Sequence, residues 1–156
     1  MLKKVSSKKF TAKDTSFAIV ASTYNAKYVD SMLKAAKQEL LRAGASVQVV
    51  RVPGAYEIPV VTARLARQAA QESSLAGIIC LGVILRGATT HAQHIGEAVS
   101  NALAQIQVVT EVPVIHEVLL LENEQQAQQR CLDKQHNRGL EAAQTALAMA
   151  QVMASL

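Results

Sequence analysis

Four short runs of mostly apolar residues are the feature of this sequence that most restricts its fold. They cover residues 17–22, 47–52, 78–85 and 112–121. The segments after these runs carry apolar residues at about the 3.6-residue spacing of a helix. Strands that are apolar on both faces must be covered on both faces. The alternation therefore predicts an α/β fold, a three-layer α/β/α arrangement with a four-stranded parallel sheet.

Length and composition narrow the class of protein further. The chain has 156 residues, which suits a single domain. Its longest apolar run, residues 77–85, is about half of what a bilayer span needs, and the first residues contain no apolar leader. We therefore expect no membrane partner and no signal peptide. Cys80 and Cys131 form no Cys-x-x-Cys pair, so reduced thiols in the cytoplasm are the expectation.

The net charge of +4 is concentrated at the start of the chain. Residues 1–14 contain five lysines and one acid, Asp14, and the remainder carries equal numbers of basic and acidic residues. The basic excess therefore predicts a flexible arm, residues 1–14, ahead of a single domain at residues 15–156. It does not indicate a basic fold, and no nucleic acid partner is predicted.

In parallel sheets, ligands bind beyond the carboxyl ends of the strands, which directs attention to the polar segments there. The turn RGATTH, residues 86–91, follows the third apolar run and opens a helix. Its free N–H groups and the hydroxyls of Thr89 and Thr90 suit an anion such as phosphate. A Thr N-cap without any ligand explains the same residues equally well. The sequence contains neither GxxxxGK[ST] nor GxGxxG, so no P-loop or dinucleotide fingerprint is predicted.

Two histidines stand at the start of the helix after this turn. His91 could transfer protons near neutral pH, and the alternative is a surface or capping histidine. His94 shares its helix face, but no third ligand follows with regular spacing, and no metal site is predicted.

Three further side chains follow apolar runs, and each has a plain structural alternative. Glu57 could accept hydrogen bonds from a polyol, or it could complement a helix N-terminus. Tyr24 could stack on a flat ring, or it could simply pack. Arg130 could bind a phosphate, or it could be a solvated helix charge. Their joint placement after successive strands favours a ligand site.

Several motifs resemble the family of 6,7-dimethyl-8-ribityllumazine synthases. They are VPGAYEIP (residues 52–59), LGVILRGATTH (81–91), VPVI (112–115) and R-x₃-K-x₂-N-x-G (130–139), and the likeness extends over about residues 17–153. The resemblance implies a flavodoxin-like fold. It also implies an enzyme, a transferase of riboflavin biosynthesis that condenses 5-amino-6-(D-ribitylamino)uracil with 3,4-dihydroxy-2-butanone 4-phosphate and needs no cofactor.

The resemblance also implies a role for each matching residue. His91 takes the place of the proton-transfer residue. The pyrimidine and its ribityl chain would contact Tyr24, Ala55, Tyr56, Glu57, Val83, Ile84, Leu85 and His116. The phosphate would contact Ala88, Thr89 and Arg130.

This sequence departs from the family pattern at positions next to these residues. An aromatic residue usually follows the catalytic histidine, whereas Ala92 stands here. The family usually has Phe-Gly where this chain has His116-Glu117, so His116 would have to stack or hydrogen-bond in its place. These changes leave open a second function, that of a flavin- or lumazine-binding homologue with weak or no catalysis.

The resemblance implies a homo-oligomer as well. In the family the active site lies between neighbouring subunits of a pentamer, and twelve pentamers can close into an icosahedral capsid. Residues 130–139 show no insertion relative to the capsid-forming pattern, which is compatible with a 60-mer.

Overall fold

A computed structural model describes residues 9–156, and its order of elements confirms the predicted alternation of strands and helices. The strands are β1 (Ser16–Ser22), β2 (Ser46–Val52), β3 (Gly77–Leu85) and β4 (Val114–Leu121). The helices are α1 (Ala26–Arg42), α2 (Ile58–Glu72), α3 (His91–Thr110), α4 (Glu124–Ala127) and α5 (Arg138–Ala154). A 3-10 turn covers Ala55–Glu57, and a π-helical turn covers Gln128–Leu132.

All strand pairs in the sheet are parallel, and the strand order is β2-β1-β3-β4. This confirms the predicted flavodoxin-like α/β/α class. The chain leaves β1 toward β2 on one side and later returns to β3 on the other side. The crevice between β1 and β3 is therefore the switch point at which such sheets bind ligands.

Two apolar cores cover the two faces of the sheet. One core lies between the sheet and the helices α1 and α5, and it buries Phe17, Ile19, Met32 and Leu147. The other lies under α2 and α3 and buries Val20, Ile58, Cys80, Val99 and Leu103. The β1 and β3 side chains are buried on both faces for nearly their whole length, which is why their sequences show no polar alternation.

The helices α1 and α5 approach each other closely at Gly139. A Cβ atom at this position would collide with the backbone carbonyl of Met32. Asn137, the N-cap residue of α5, fixes the same point because its Oδ1 accepts a hydrogen bond from the Gly139 N–H at 2.8 Å. The contact of the first turn of α5 with α1 therefore depends on a residue without a side chain.

Part of the predicted N-terminal arm lies against the fold. The Ala12 N–H donates a hydrogen bond to the Ala43 carbonyl at 2.7 Å, Ala12 is buried, and Phe10 packs on the core under α1. The rest of the predicted arm, residues 1–8, lies outside the described residues. Its flexibility stays a prediction.

Three simple properties of the described chain bear on function. Both cysteines are free and buried. None of the helices between residues 9 and 156 is long and apolar enough to cross a membrane. The same residues contain no group of three or more His, Cys, Asp or Glu side chains arranged to hold a metal ion.

Candidate active site

A cleft of about 530 Å³ opens at the carboxyl ends of β1, β2 and β3. It is lined by Tyr24 and Asn25 after β1, by 54–57 after β2, by 83–85 at the end of β3, and by Gly87, Thr89, His91, Ala92 and Ile95 beyond it. Most of these residues were predicted to follow successive strands. The topology brings them together because parallel strands all end at this edge of the sheet.

The loops after β1 and β2 hold each other in place. The Thr23 N–H donates to the Val52 carbonyl at 2.7 Å, and the Tyr24 N–H donates to the Pro53 carbonyl at 3.0 Å. These bonds continue the parallel ladder beyond the two strands. The Tyr24 side chain is 73% exposed. The ring is therefore exposed at the cleft, on a loop that these hydrogen bonds hold in place.

Asn25 crosses the crevice between β1 and β3, and its role was not predicted. It is the N-cap residue of α1 in the left-handed conformation, with φ +57°. Its Nδ2 donates to the Val83 carbonyl at 2.7 Å. An asparagine in the short loop between a buried strand and a helix is a signal for such a backbone conformation, because its short side chain tolerates positive φ.

Glu57 ends the 3-10 turn that forms the second side of the cleft. Its carboxylate folds back over Gly54, where a Cβ atom would lie 2.9 Å from Glu57 Oε2. Glycine at position 54 therefore makes room for the carboxylate. Tyr56 lines the cleft on the same turn and is 64% exposed.

The turn before α3 is held by the contacts of its first residue, Arg86, and is exposed at its end. The Arg86 N–H donates to the Leu121 carbonyl at 2.8 Å, and its guanidinium pairs with Glu122 at 2.9 Å. Thr89 and His91 are exposed and line the cleft at the start of α3. The His91 N–H donates to Thr89 Oγ1 at 3.4 Å. The next N–H groups of a helix start have no partners within the helix, so the start of α3 can bind an anion.

Ala88 and Thr90, the residues on either side of Thr89, differ in position. Ala88 lies in the same turn, between the lining residues Gly87 and Thr89, and is exposed outside the cleft lining. Thr90 is the N-cap residue of α3, and its hydroxyl lies 3.3 Å from Nε2 of His94. His94 therefore faces a threonine on the preceding turn.

His116 does not line this cleft. It pairs in register with Cys80, five residues before the end of β4 at Leu121, which is roughly 16 Å along the strand. There it lines a second groove of about 720 Å³ beside the edge strand β4, together with Pro113, Glu117 and Met149.

Both nitrogens of the His116 ring have partners within the chain. Nδ1 accepts a hydrogen bond from the Val118 N–H at 3.1 Å, and Nε2 lies 2.7 Å from the Ser100 hydroxyl. Burial lowers the pKa of His116 below its usual value. The ring is therefore neutral near pH 7, and its tautomer carries the proton on Nε2. Ser100 was not predicted, because nothing in its local sequence marks it.

Arg130 also lies away from the cleft, on the π-helical turn after α4. This turn is anchored at the Cys131 carbonyl, which accepts bonds from Ser31 Oγ at 2.6 Å and Asn137 Nδ2 at 2.8 Å. The Nε of Arg130 is buried and has no hydrogen-bond partner among residues 9–156. None of the ion pairs within that range includes its guanidinium.

Comparison with known proteins gives one family. The family model described as 6,7-dimethyl-8-ribityllumazine synthase matches residues 14–154. Proteins of that name from two strains of Stenotrophomonas maltophilia, R551-3 and K279a, are 38% identical over 149 residues, which is 94% of this chain and 94% of each relative. A protein of the same name from Desulfotalea psychrophila is 38% identical over 143 residues, 90% of each chain. The match spans the whole sheet and every part of the cleft, and the chain therefore belongs to the 6,7-dimethyl-8-ribityllumazine synthase family.

Proposed function

We propose that this protein condenses 5-amino-6-(D-ribitylamino)uracil with 3,4-dihydroxy-2-butanone 4-phosphate to form 6,7-dimethyl-8-ribityllumazine, phosphate and water, in riboflavin biosynthesis. The relatives at 38% identity carry the name of that product. The observation that carries the proposal is the cleft itself. It joins an exposed aromatic ring, a carboxylate, an exposed histidine and an open helix start.

Each of these groups suits one part of the two substrates. The Tyr24 ring stacks on the pyrimidine, beside the main chain of 83–85. Glu57 accepts hydrogen bonds from the ribityl hydroxyls next to Ala55 and Tyr56, since an ionised carboxylate is an acceptor only. Holding two reactants in one orientation supplies much of the rate in a condensation.

Proton transfer and phosphate release are assigned to the other end of the cleft. Imine formation, loss of phosphate and ring closure each move a proton, and His91 is the imidazole that lines the cleft. Ala88 and Thr89, in the turn just before α3, contact the phosphate next to the N–H groups of the helix start. Arg130 supplies the charged partner, since its guanidinium has no ion pair within the described residues.

The direct test is to incubate the purified protein with both substrates and follow the absorbance of the lumazine chromophore. Product formation well above the uncatalysed rate is the expected result. Binding of the lumazine without product formation would instead identify a binding homologue.

The active site is completed by a second copy of the chain. The cleft lining contains neither His116 nor Arg130, which supports a homo-oligomer in which one copy supplies the cleft and its neighbour supplies these two residues. A pentamer, and twelve pentamers in a 60-mer, are the proposed assemblies. The particle mass in solution distinguishes both from a decamer.

Mixed oligomers test the shared site. The variants His91→Ala and Arg130→Ala are co-expressed, and activity is measured well below the KM of the Arg130→Ala protein for the phosphate substrate. In a randomly mixed ring, about a quarter of the interfaces combine an intact cleft with an intact Arg130, so activity returns to about that fraction of wild type. Separately assembled variants mixed without exchange are the control. Activity no higher than the mean of the two parents would place Arg130 and His91 in one copy.

Two properties complete the proposal. The partners are small-molecule substrates and other copies of this chain, with neither nucleic acid nor a membrane among them. A cytoplasmic location fits the two free cysteines.

A further inference from the structure

A buried carboxylate lies beside the turn that carries Arg130. Glu117, on β4, has a side chain that is only 7% exposed. A charge removed from water to this extent needs a partner. The residue is not needed for any step of the proposed reaction.

Arg138, at the start of α5, is the partner of Glu117. Its Nε donates to Glu117 Oε2 at 3.1 Å, and its Nη2 donates to Oε1 at 3.0 Å. A third donor, Nη1, bonds to Glu141 Oε2 at 2.8 Å. The guanidinium is thus oriented by two carboxylates, and both oxygens of Glu117 are occupied by a bidentate pair.

Arg130 is the second cation within electrostatic reach of Glu117. Burial raises the pKa of Glu117, and the charges of Arg138 and Arg130 oppose that rise. Yet the ion pair forms with Arg138, and the buried Nε of Arg130 has no partner in the described chain. Of two guanidinium groups around one carboxylate, one is neutralised and one is left unpaired.

We propose that Arg138 is a positioning residue: it holds the Glu117 carboxylate so that Arg130 remains available for the phosphate group of the substrate. The inference rests on the proposed function, because it assigns Arg130 a phosphate to bind. Without Arg138, the Glu117 carboxylate interacts with Arg130, the other cation whose charge acts on it, and competes with the phosphate.

Steady-state kinetics of four variants test this. Arg138→Gln raises the KM for the phosphate substrate by about tenfold and leaves kcat within about twofold, since loss of a charged hydrogen bond to substrate acts on binding. The double variant Arg138→Gln, Glu117→Gln restores the KM, because no free carboxylate is left. Arg138→Lys keeps a positive charge beside Glu117 and gives a KM near wild type. Glu141→Gln is the matched control, since it removes the other carboxylate of Arg138 and leaves the Glu117 pair intact.

The rescue separates positioning from a general structural role. If the double variant is as impaired as Arg138→Gln, or if Arg138→Gln has the wild-type KM, the inference is wrong. A titration of the same proteins with inorganic phosphate, followed by calorimetry, separates it from the proposed function. Phosphate affinity that falls in Arg138→Gln and returns in the double variant supports positioning even if no lumazine is formed. Unchanged affinity in an active enzyme overturns the inference alone.

Discussion

His91 and His94 lie about one helical turn apart, and their surroundings differ. His91 is the first residue of α3 and lines the cleft, whereas His94 faces Thr90 at 3.3 Å. Both were candidates in the sequence, where they share a helix face. The proposed proton transfer needs only the one that lines the cleft, and the other provides a comparison at the same helix end.

Replacing His91 by alanine should lower kcat by about tenfold or more, because a positioned imidazole contributes at least that much to proton transfer. The KM for either substrate should change little, since the ring is not assigned to binding. Lumazine formation at saturating substrate is the measurement. His94→Ala is the control and should keep nearly the wild-type rate. Equal losses in the two variants would remove His91 from the proton-transfer role.

Tyr24 is the ring on which stacking depends, since His116 lies on another surface of the same chain. Tyr24→Ala should raise the KM for the pyrimidine substrate by about tenfold, in line with the worth of one aromatic pair. Tyr24→Phe should behave like wild type, because its ring face is unchanged. A Phe variant as weak as the Ala variant would show that the hydroxyl, and not the ring, matters.

At the scale of elements, the contact of α1 with α5 at Gly139 leaves no room for an added side-chain atom. Gly139→Ala places a methyl group against the Met32 carbonyl, so α5 must shift away from α1. We expect the free energy of unfolding to fall by about 2 kcal/mol, as for overpacked cores. Urea unfolding followed by circular dichroism measures it.

Gly96→Ala is the matched control for this change. A Cβ atom at the half-buried position 96 of α3 meets Leu120 Cδ2 at an ordinary 3.6 Å. Because alanine favours a helix over glycine, stability should hold or rise by up to about 1 kcal/mol. Equal destabilisation in both variants would contradict the close approach at Gly139.

The elements were predictable from the sequence, and their positions along one another were not. Apolar runs and helical periodicity predicted all four strands and the long helices, because burial on both faces leaves a plain signal. The run at 112–121, however, does not say how far β4 is displaced along β3. The pairing of His116 with Cys80 sets that displacement, and it moves His116 away from the end of the sheet. The π-helical turn could not be predicted either. Its Cys131 carbonyl accepts hydrogen bonds from Ser31 and Asn137, two residues that are far apart from each other in the sequence.

At the scale of the whole molecule, the basic N-terminal segment divides into two parts. Deletion of residues 2–8 should leave lumazine synthesis unchanged, and it should reduce any nucleic-acid binding by the arm. Deletion of residues 2–14 also removes the buried Ala12 and the packing of Phe10, and should lower the free energy of unfolding by about 1–3 kcal/mol. Thermal unfolding of both truncated proteins measures the difference in stability between them. Equal Tm values would show that the contacts of residues 10–12 add nothing.

The two buried cysteines have a consequence for chemical labelling. Burial raises the pKa of Cys80 and of Cys131 to about 12, and the nearby Glu117 charge adds to the effect in Cys131. Only about one thiol in 10⁵ is then a thiolate at pH 7, and the thiolate is the form that reacts with maleimides. A cysteine introduced at the exposed Ser74 would react alone. A fluorophore can therefore be attached at one chosen point of every copy while both native thiols stay in place.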